Sequence, residues 1–146
     1  MNIEITNENI EDIYEIIDKN INNKKYLLLS DLKKNGDIFR MPNLGFSWNE
    51  YLLRTILLKN TKENYIMIDV PGAQLFTERG ILVKKELEID NYIDFLKYVY
   101  MENRYYELES VNQLYKTLQA NGLINETFPA EFKKNVVDEY GRLIRC

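Results

Sequence analysis

The sequence predicts an α+β fold, mostly helical, with a β-hairpin at about 65–87 and additional C-terminal helices. Three observations carry that expectation. The stretch Ser47-Trp48-Asn49-Glu50 has the S-x-x-E spacing of a capping box and opens the apolar run Leu52-Leu53-Arg54-Thr55-Ile56-Leu57-Leu58. Two β-type runs, 65–69 and 80–87, follow directly. From Asp90 onward the apolar residues return to helical spacing.

In chain order, Asn7 or Asn9 caps a first helix over 8–20, with Ile10, Ile13, Tyr14, Ile16 and Ile17 on one side and Glu11, Asp12, Glu15 and Asp18 outside. Acids early in that helix suit its positive end. Asn20-Ile21-Asn22-Asn23 reads as a turn. Residues 25–36 read as a short helix stopped by Gly36, a common C′ residue, though the first few suit a strand equally well. A loop over 37–46, with Pro42 and Gly45, leads to the capped helix at 48–60. Phe46 and Tyr51 sit where a hydrophobic staple would close over its cap. Trp48, Leu52, Leu53, Ile56 and Leu57 cover most of this helix, so it belongs inside the domain.

Tyr65-Ile66-Met67-Ile68-Asp69 reads as a strand that Val70-Pro71-Gly72 breaks, and 80–87 as its partner across a long loop. On that partner Ile81, Val83 and Lys85 would share one face, and Leu82, Lys84 and Glu86 the other. Asp90 or Asn91 caps the next helix, through Tyr100 and on to about 103. Ser110-Val111-Asn112-Gln113 repeats the capping-box spacing and opens a helix with Val111, Leu114, Tyr115 and Leu118 inward, ending at Gly122. Residues 129–145 read as a last helix with Phe132, Val136, Val137, Tyr140 and Leu143 inward. The segments Leu32-Lys33-Lys34-Asn35-Gly36-Asp37-Ile38 and Leu118-Gln119-Ala120-Asn121-Gly122-Leu123-Ile124 share L-x-x-N-G-x-I, each downstream of an apolar helix. The organisation expected is therefore a unit over 1–89 and a helical unit over 90–146, sharing one core.

Composition narrows the function. Of 146 residues, 45% are hydrophobic and 29% charged, which are globular proportions. No apolar run approaches the length of a membrane span. The acidic start, Glu4, Glu8, Glu11 and Asp12, is unlike a secretory or transit peptide. The single Cys146 makes no internal disulfide, so a cytoplasmic location fits, and a chain ending on Arg145-Cys146 is compatible with excision from a longer one. With no histidine, the usual general base and zinc ligand are missing, and no cofactor is expected. Charge is unevenly laid out: 1–18 hold six acids and no Lys or Arg, whereas 19–62 carry a net +6 in a chain whose total is −4. Ordinary surface charge or one positive face would each produce that layout.

The order helix, short helix, loop, capped helix, hairpin over 8–87 resembles a winged-helix domain. The resemblance implies that the third helix and the hairpin wing meet nucleic acid, and that the second unit, with its own Gly-Leu-Ile helix ending, holds a second helix-turn-helix. Carried onto this sequence, it implies a DNA-binding protein, a transcription regulator or the recognition module of a larger assembly, with double-stranded DNA as partner. The residues offered are Lys33, Lys34 and Arg54 in the first unit, and Arg79, Lys84 and Lys85 on the wing for phosphate contact. On helix 111–121, Asn112 and Gln113 suit adenine, Lys116 guanine or phosphate, and Thr117 a thymine methyl. Each has a plainer explanation: a solvated amphipathic face for helix 111–121, and edge protection for the strand lysines.

The alternative is a protein–protein adaptor or inhibitor on the same scaffold, with a protein partner or a second copy as ligand. The acidic total and the cluster Tyr98, Tyr100, Tyr105 and Tyr106 speak for it. Catalysis is not expected. Asp69, Glu78 and Lys84 lack the acid two residues before the lysine that a metal-dependent nuclease would need. Glu107 and Glu109 fit a charged loop better than a metal site, and the six glycines form no phosphate loop.

Overall fold

The structure is a computed structural model that describes residues 5–45, 47–48, 50–60, 64–69, 80–125 and 127–146. It divides into two compact units, Met1–Ile89 and Asp90–Cys146. Among the described residues there are six α-helices and one three-stranded antiparallel sheet.

Helix α1 spans Asn7–Ile21. Its cap is Thr6, one residue before the first asparagine expected in that role. Thr6 Oγ1 accepts the Asn9 N–H and Asn9 Oδ1 accepts the Thr6 N–H, both at 3.1 Å. This is a reciprocal box in which asparagine does the work of the usual Glu or Gln. Ile10, Ile13, Tyr14, Ile17 and Ile21 form the buried face. The apolar run after the turn divides in two: β1 is Tyr26–Leu28 and α2 is Leu29–Lys34. The three residues leave the helix because Val83, Leu82 and Ile81 offer them a ladder. After α2, Gly36 takes φ +78°, a left-handed conformation in which a Cβ is costly, and a 3₁₀ turn follows at Asp37–Arg40.

Helix α3 is Glu50–Lys59, so it begins two residues later than the spacing suggests. The proposed staple and box rest on Phe46, Asn49 and the side chains of Glu50 and Tyr51, which lie outside the described residues. Trp48 stands ahead of the helix. It packs half-buried against the core, and its Nε1–H donates to the Pro42 carbonyl at 2.8 Å, tying down the preceding loop. Leu53, Ile56 and Leu57 are buried, which makes α3 the internal helix expected, although Leu58 is exposed.

Strands β2, Tyr65–Asp69, and β3, Gly80–Lys84, pair antiparallel from Tyr65↔Lys84 to Asp69↔Gly80, and the sheet order is β1-β3-β2. The second strand thus ends three residues short of the expected 87, because Lys85–Leu87 forms a 3₁₀ turn closed by the Glu88 N–H on the Lys85 carbonyl. The break expected at Val70-Pro71-Gly72 lies outside the described residues. Leu27, Leu82 and Tyr65 join Ile13, Tyr14, Ile17, Leu32, Leu53 and Leu57 in the main core of this unit. Pairing across the ladders gives the opposite sheet face to Tyr26, Leu28, Ile66, Ile68, Ile81 and Val83. The two faces alternate as the sequence suggests, and both are covered, since Ile81, Leu82 and Val83 are all buried. Tyr14 and Tyr65 stack at 5.7 Å between centroids. The Tyr14 hydroxyl donates to the Asn60 carbonyl at 3.1 Å, and the Tyr65 hydroxyl donates to the Asp18 carboxylate. Burial first, and then the Asp18 charge, push the Tyr65 phenol well above its ordinary range.

In the second unit, α4 is Tyr92–Glu102, capped by Asn91, whose Oδ1 accepts the Asp94 N–H at 2.9 Å. Helix α5 is Val111–Ala120. It opens as the sequence predicts, with Ser110 Oγ accepting the Gln113 N–H at 3.1 Å. It closes with the Gly122 N–H on the Gln119 carbonyl and the Leu123 N–H on the Leu118 carbonyl at 2.9 Å, a Schellman ending around Gly122 at φ +73°. Leu118 and Leu123 are both buried, as that motif favours.

The last helix is much shorter than the expected 129–145: α6 is Ala130–Val136. Asp138 stops it. Its Oδ1 accepts the N–H groups of Tyr140 and Arg142 at 2.9 and 2.8 Å, offering the backbone a tight turn in place of helix. Gly141 at φ +75° completes the reversal, and Val137 bridges to Leu143. Phe132 and Val136 are buried as expected, but Tyr140 is 77% exposed, not inward. The core here is aromatic: Phe132 meets Tyr100 edge-on at 6.0 Å and stacks on Phe128 at 5.6 Å. The Tyr100 hydroxyl donates to the Ile144 carbonyl at 2.6 Å. Burial, with smaller contributions from Cys146 and Tyr106, pushes the Tyr100 phenol up to about 12.

Two outcomes test this packing. A Cβ on Gly80 would stand 2.6 Å from Leu29 Cδ1 and 3.1 Å from Met67 Sδ. Gly80→Ala therefore lowers unfolding free energy in urea by about 1–3 kcal/mol, and a loss under about 0.5 kcal/mol would show that Leu29 yields freely. For Tyr100 the raised folded value means stability is fully present below the ordinary tyrosine value of 10.0 and declines as pH rises toward about 12. Denaturation midpoints followed across that window fall less steeply in Tyr100→Phe than in the parent chain.

Candidate nucleic-acid interface

The residues nominated from the sequence are distributed over both units, and the structure treats them unequally. In the first unit Lys34 is exposed on the last turn of α2, and Arg54 is half-buried in α3. The Lys33 side chain and Arg79 lie outside the described residues. Lys84 and Lys85 are at the base of the hairpin. Tyr65↔Lys84 is the pair farthest from the connection between the strands, and Asp69↔Gly80 the nearest to it. They therefore occupy the end of the two-strand ladder farthest along the register from Asp69 and Gly80.

That end carries more charge than the nominated pair. The Lys84 N–H donates to the Lys25 carbonyl at 3.0 Å, which sets Lys24-Lys25 beside Lys84-Lys85. Lys84 Nζ donates to the Asn22 carbonyl at 3.2 Å, and Lys25 Nζ forms an ion pair with Glu86 at 2.6 Å. The hydrogen bond from Lys25, and then its charge, hold the Glu86 carboxyl below the usual carboxylate range. Asn64, Tyr65, Lys84, Lys85 and Glu86 line an open cleft of about 500 Å³. Sequence reasoning missed Lys24 and Lys25. The available signal was symmetry: a Lys-Lys pair precedes β1 and another closes β3, and antiparallel pairing brings both to one end.

In the second unit, Asn112, Gln113 and Lys116 are exposed on α5 and Thr117 is half-buried. Two of these are engaged locally. Gln113 Oε1 accepts the Glu109 N–H and Thr117 Oγ1 donates to the Gln113 carbonyl, both at 2.8 Å. Bidentate reading of adenine requires carbonyl and amine together, so Asn112 and Lys116, one helical turn apart, are the better placed members. Of the tyrosine cluster, Tyr100 is buried, while Tyr98, Tyr105 and Tyr106 are half-buried. The Arg145 guanidinium covers the Tyr106 ring at 5.4 Å.

Glu107 of the acidic loop pairs with Arg104 at 2.7 Å. Among the described residues no group of three or more Cys, Asp or Glu side chains is placed to hold a metal ion. No described helix is long and apolar enough to cross a membrane. Comparison with protein-family models, with curated proteins and with solved structures gives no match to this chain.

Proposed function

We propose that the chain is a cytoplasmic DNA-binding protein of winged-helix type, a transcription regulator or the recognition module of a larger assembly. The observation that supports it is the element order of the first unit: a helix, a three-residue strand, a short helix, a loop, an internal helix and an antiparallel hairpin, which keeps the helices and hairpin of the resemblance in sequence and adds β1 to the sheet. Exposed Lys34 on α2 and Asn112 and Lys116 on α5 supply the donors for phosphate and base contact. A second reading, an adaptor or inhibitor that binds protein, is favoured by Tyr140. Its ring is exposed on a turn held at both ends by Asp138, a rigid amphipathic anchor of the kind enriched at interfaces.

Fluorescence anisotropy with a labelled duplex, repeated from 50 to 200 mM salt, discriminates the two. DNA binding appears as an affinity that falls linearly on logarithmic axes, with a slope of about −0.9 for each phosphate neutralised. Lys34→Glu and Lys116→Glu each weaken binding, and the slope becomes shallower by about one contact. Absence of binding to any duplex at low salt, with a co-purifying protein whose capture is lost in Tyr140→Ala, establishes the adaptor instead.

A further inference from the structure

We propose that the base of the hairpin is a phosphate-binding site, in which Lys84 and Lys85 line the cleft beside Asn64, Lys25 reaches its rim through Glu86, and Lys24 adjoins Lys25 in the chain. It goes beyond duplex recognition, since it requires neither the wing's loop nor α5.

The geometry is specific. The two dilysine pairs are about sixty positions apart in the chain and meet only because β1 lies antiparallel to β3, with Tyr26 opposite Val83. Like charges gathered at one sheet end repel one another, and Glu86 offsets part of that repulsion through its ion pair with Lys25. Together these five side chains carry a net +3 in a chain of net −4. The ordinary explanation of lysines on a strand, guarding an edge, does not apply to Lys84: β3 is the central strand and both its edges are paired. The Asp18 carboxylate near this end already accepts the Tyr65 hydroxyl.

The cleft is shaped for more than a bare ion. Its volume of about 500 Å³ falls within the range of small-ligand sites. Asn64 adds a neutral donor to the lysine ammonium groups. Lysine serves phosphate as a compact point charge with three donors. Lys25 is held by Glu86, so an incoming phosphate oxygen replaces a carboxylate oxygen and the lysine changes partner with little new ordering. Glu86 is then a competitor for the site and not a ligand. Either a polynucleotide backbone or a small phosphorylated molecule provides the same group.

The test is a titration of the isotopically labelled full chain, followed through its backbone amide resonances. Sodium pyrophosphate is one probe, a short DNA duplex the other, and sodium chloride at matched ionic strength the control. Saturable shifts at Lys25, Asn64, Lys84 and Lys85 are expected with a phosphate probe and not with chloride. Lys25→Ala/Lys85→Ala weakens binding at least tenfold, while its remaining resonances, unmoved, report that the fold is intact. Glu86→Gln tightens binding severalfold, a gain that a purely structural ion pair would not give. Shifts produced by pyrophosphate alone assign a small phosphorylated ligand, and tighter binding of the duplex at the same amides assigns a nucleic-acid backbone. Shifts equal in chloride, shifts surviving in the double variant, or weaker binding by Glu86→Gln would overturn the site. Duplex binding that perturbs α2 and α5 but leaves these four amides unmoved would overturn it while leaving the DNA reading in place.

Discussion

Strand β3 gives its backbone to two partners and its side chains to two apolar faces, and the first unit is arranged around that double commitment. Ile81, Leu82 and Val83 are each buried, at a gain of about 1.5–3 kcal/mol for a fully covered aliphatic side chain. Leu82 looks into the core built by α1, α2 and α3, so those helices are held to the sheet through one row of residues. Gly80 starts the strand where Leu29 and Met67 would have to shift to admit a Cβ. The same pairing places Lys25 beside Lys84 and so creates the charged end of the sheet. Packing and electrostatics in this unit share one origin.

Much of this was legible in the chain because local chemistry and tertiary environment agree there. Ser110 and Gln113 mark the start of α5, and Gly36 and Gly122, in matching L-x-x-N-G-x-I segments, both take the left-handed conformation after a helix. The buried face of α1 follows directly from its isoleucine spacing. Where the reading failed, a distant partner decided the outcome. Tyr26-Leu27-Leu28 is equally suited to helix and strand, and residues more than fifty positions away settle the choice. The division of β3 into an Ile81/Val83 face and a Leu82/Lys84 face was legible from alternation alone, whereas burial of both faces depends on the strand's central place in the sheet.

Side-chain competition explains the other departure. Residues 129–145 contain helical spacing, but Asp138 captures two backbone donors and Gly141 permits the reversal, so the chain turns at Val137 and Tyr140 faces solvent. At the candidate interface the pattern is similar. Gln113 and Thr117 looked available because their residue types suit base contact, yet Gln113 commits its Oε1 to the backbone just before α5 and Thr117 its hydroxyl proton to the backbone within it. Residue type announces what a side chain could donate or accept. Local hydrogen bonds determine how much of that capacity remains for a ligand.

The strand that completes the sheet is also the last of the three to leave the ribosome. While residues up to about 79 emerge, Tyr26–Leu28 and Tyr65–Asp69 have no mate, since each pairs with Gly80–Lys84 and not with the other. A nascent chain halted there would display two sticky ribbons of aliphatic and aromatic residues, the kind of exposed template on which neighbouring polypeptides add. Assembly of the first unit is thus held back until its central piece arrives, and a stalled or prematurely terminated product would be a natural substrate for chaperone capture.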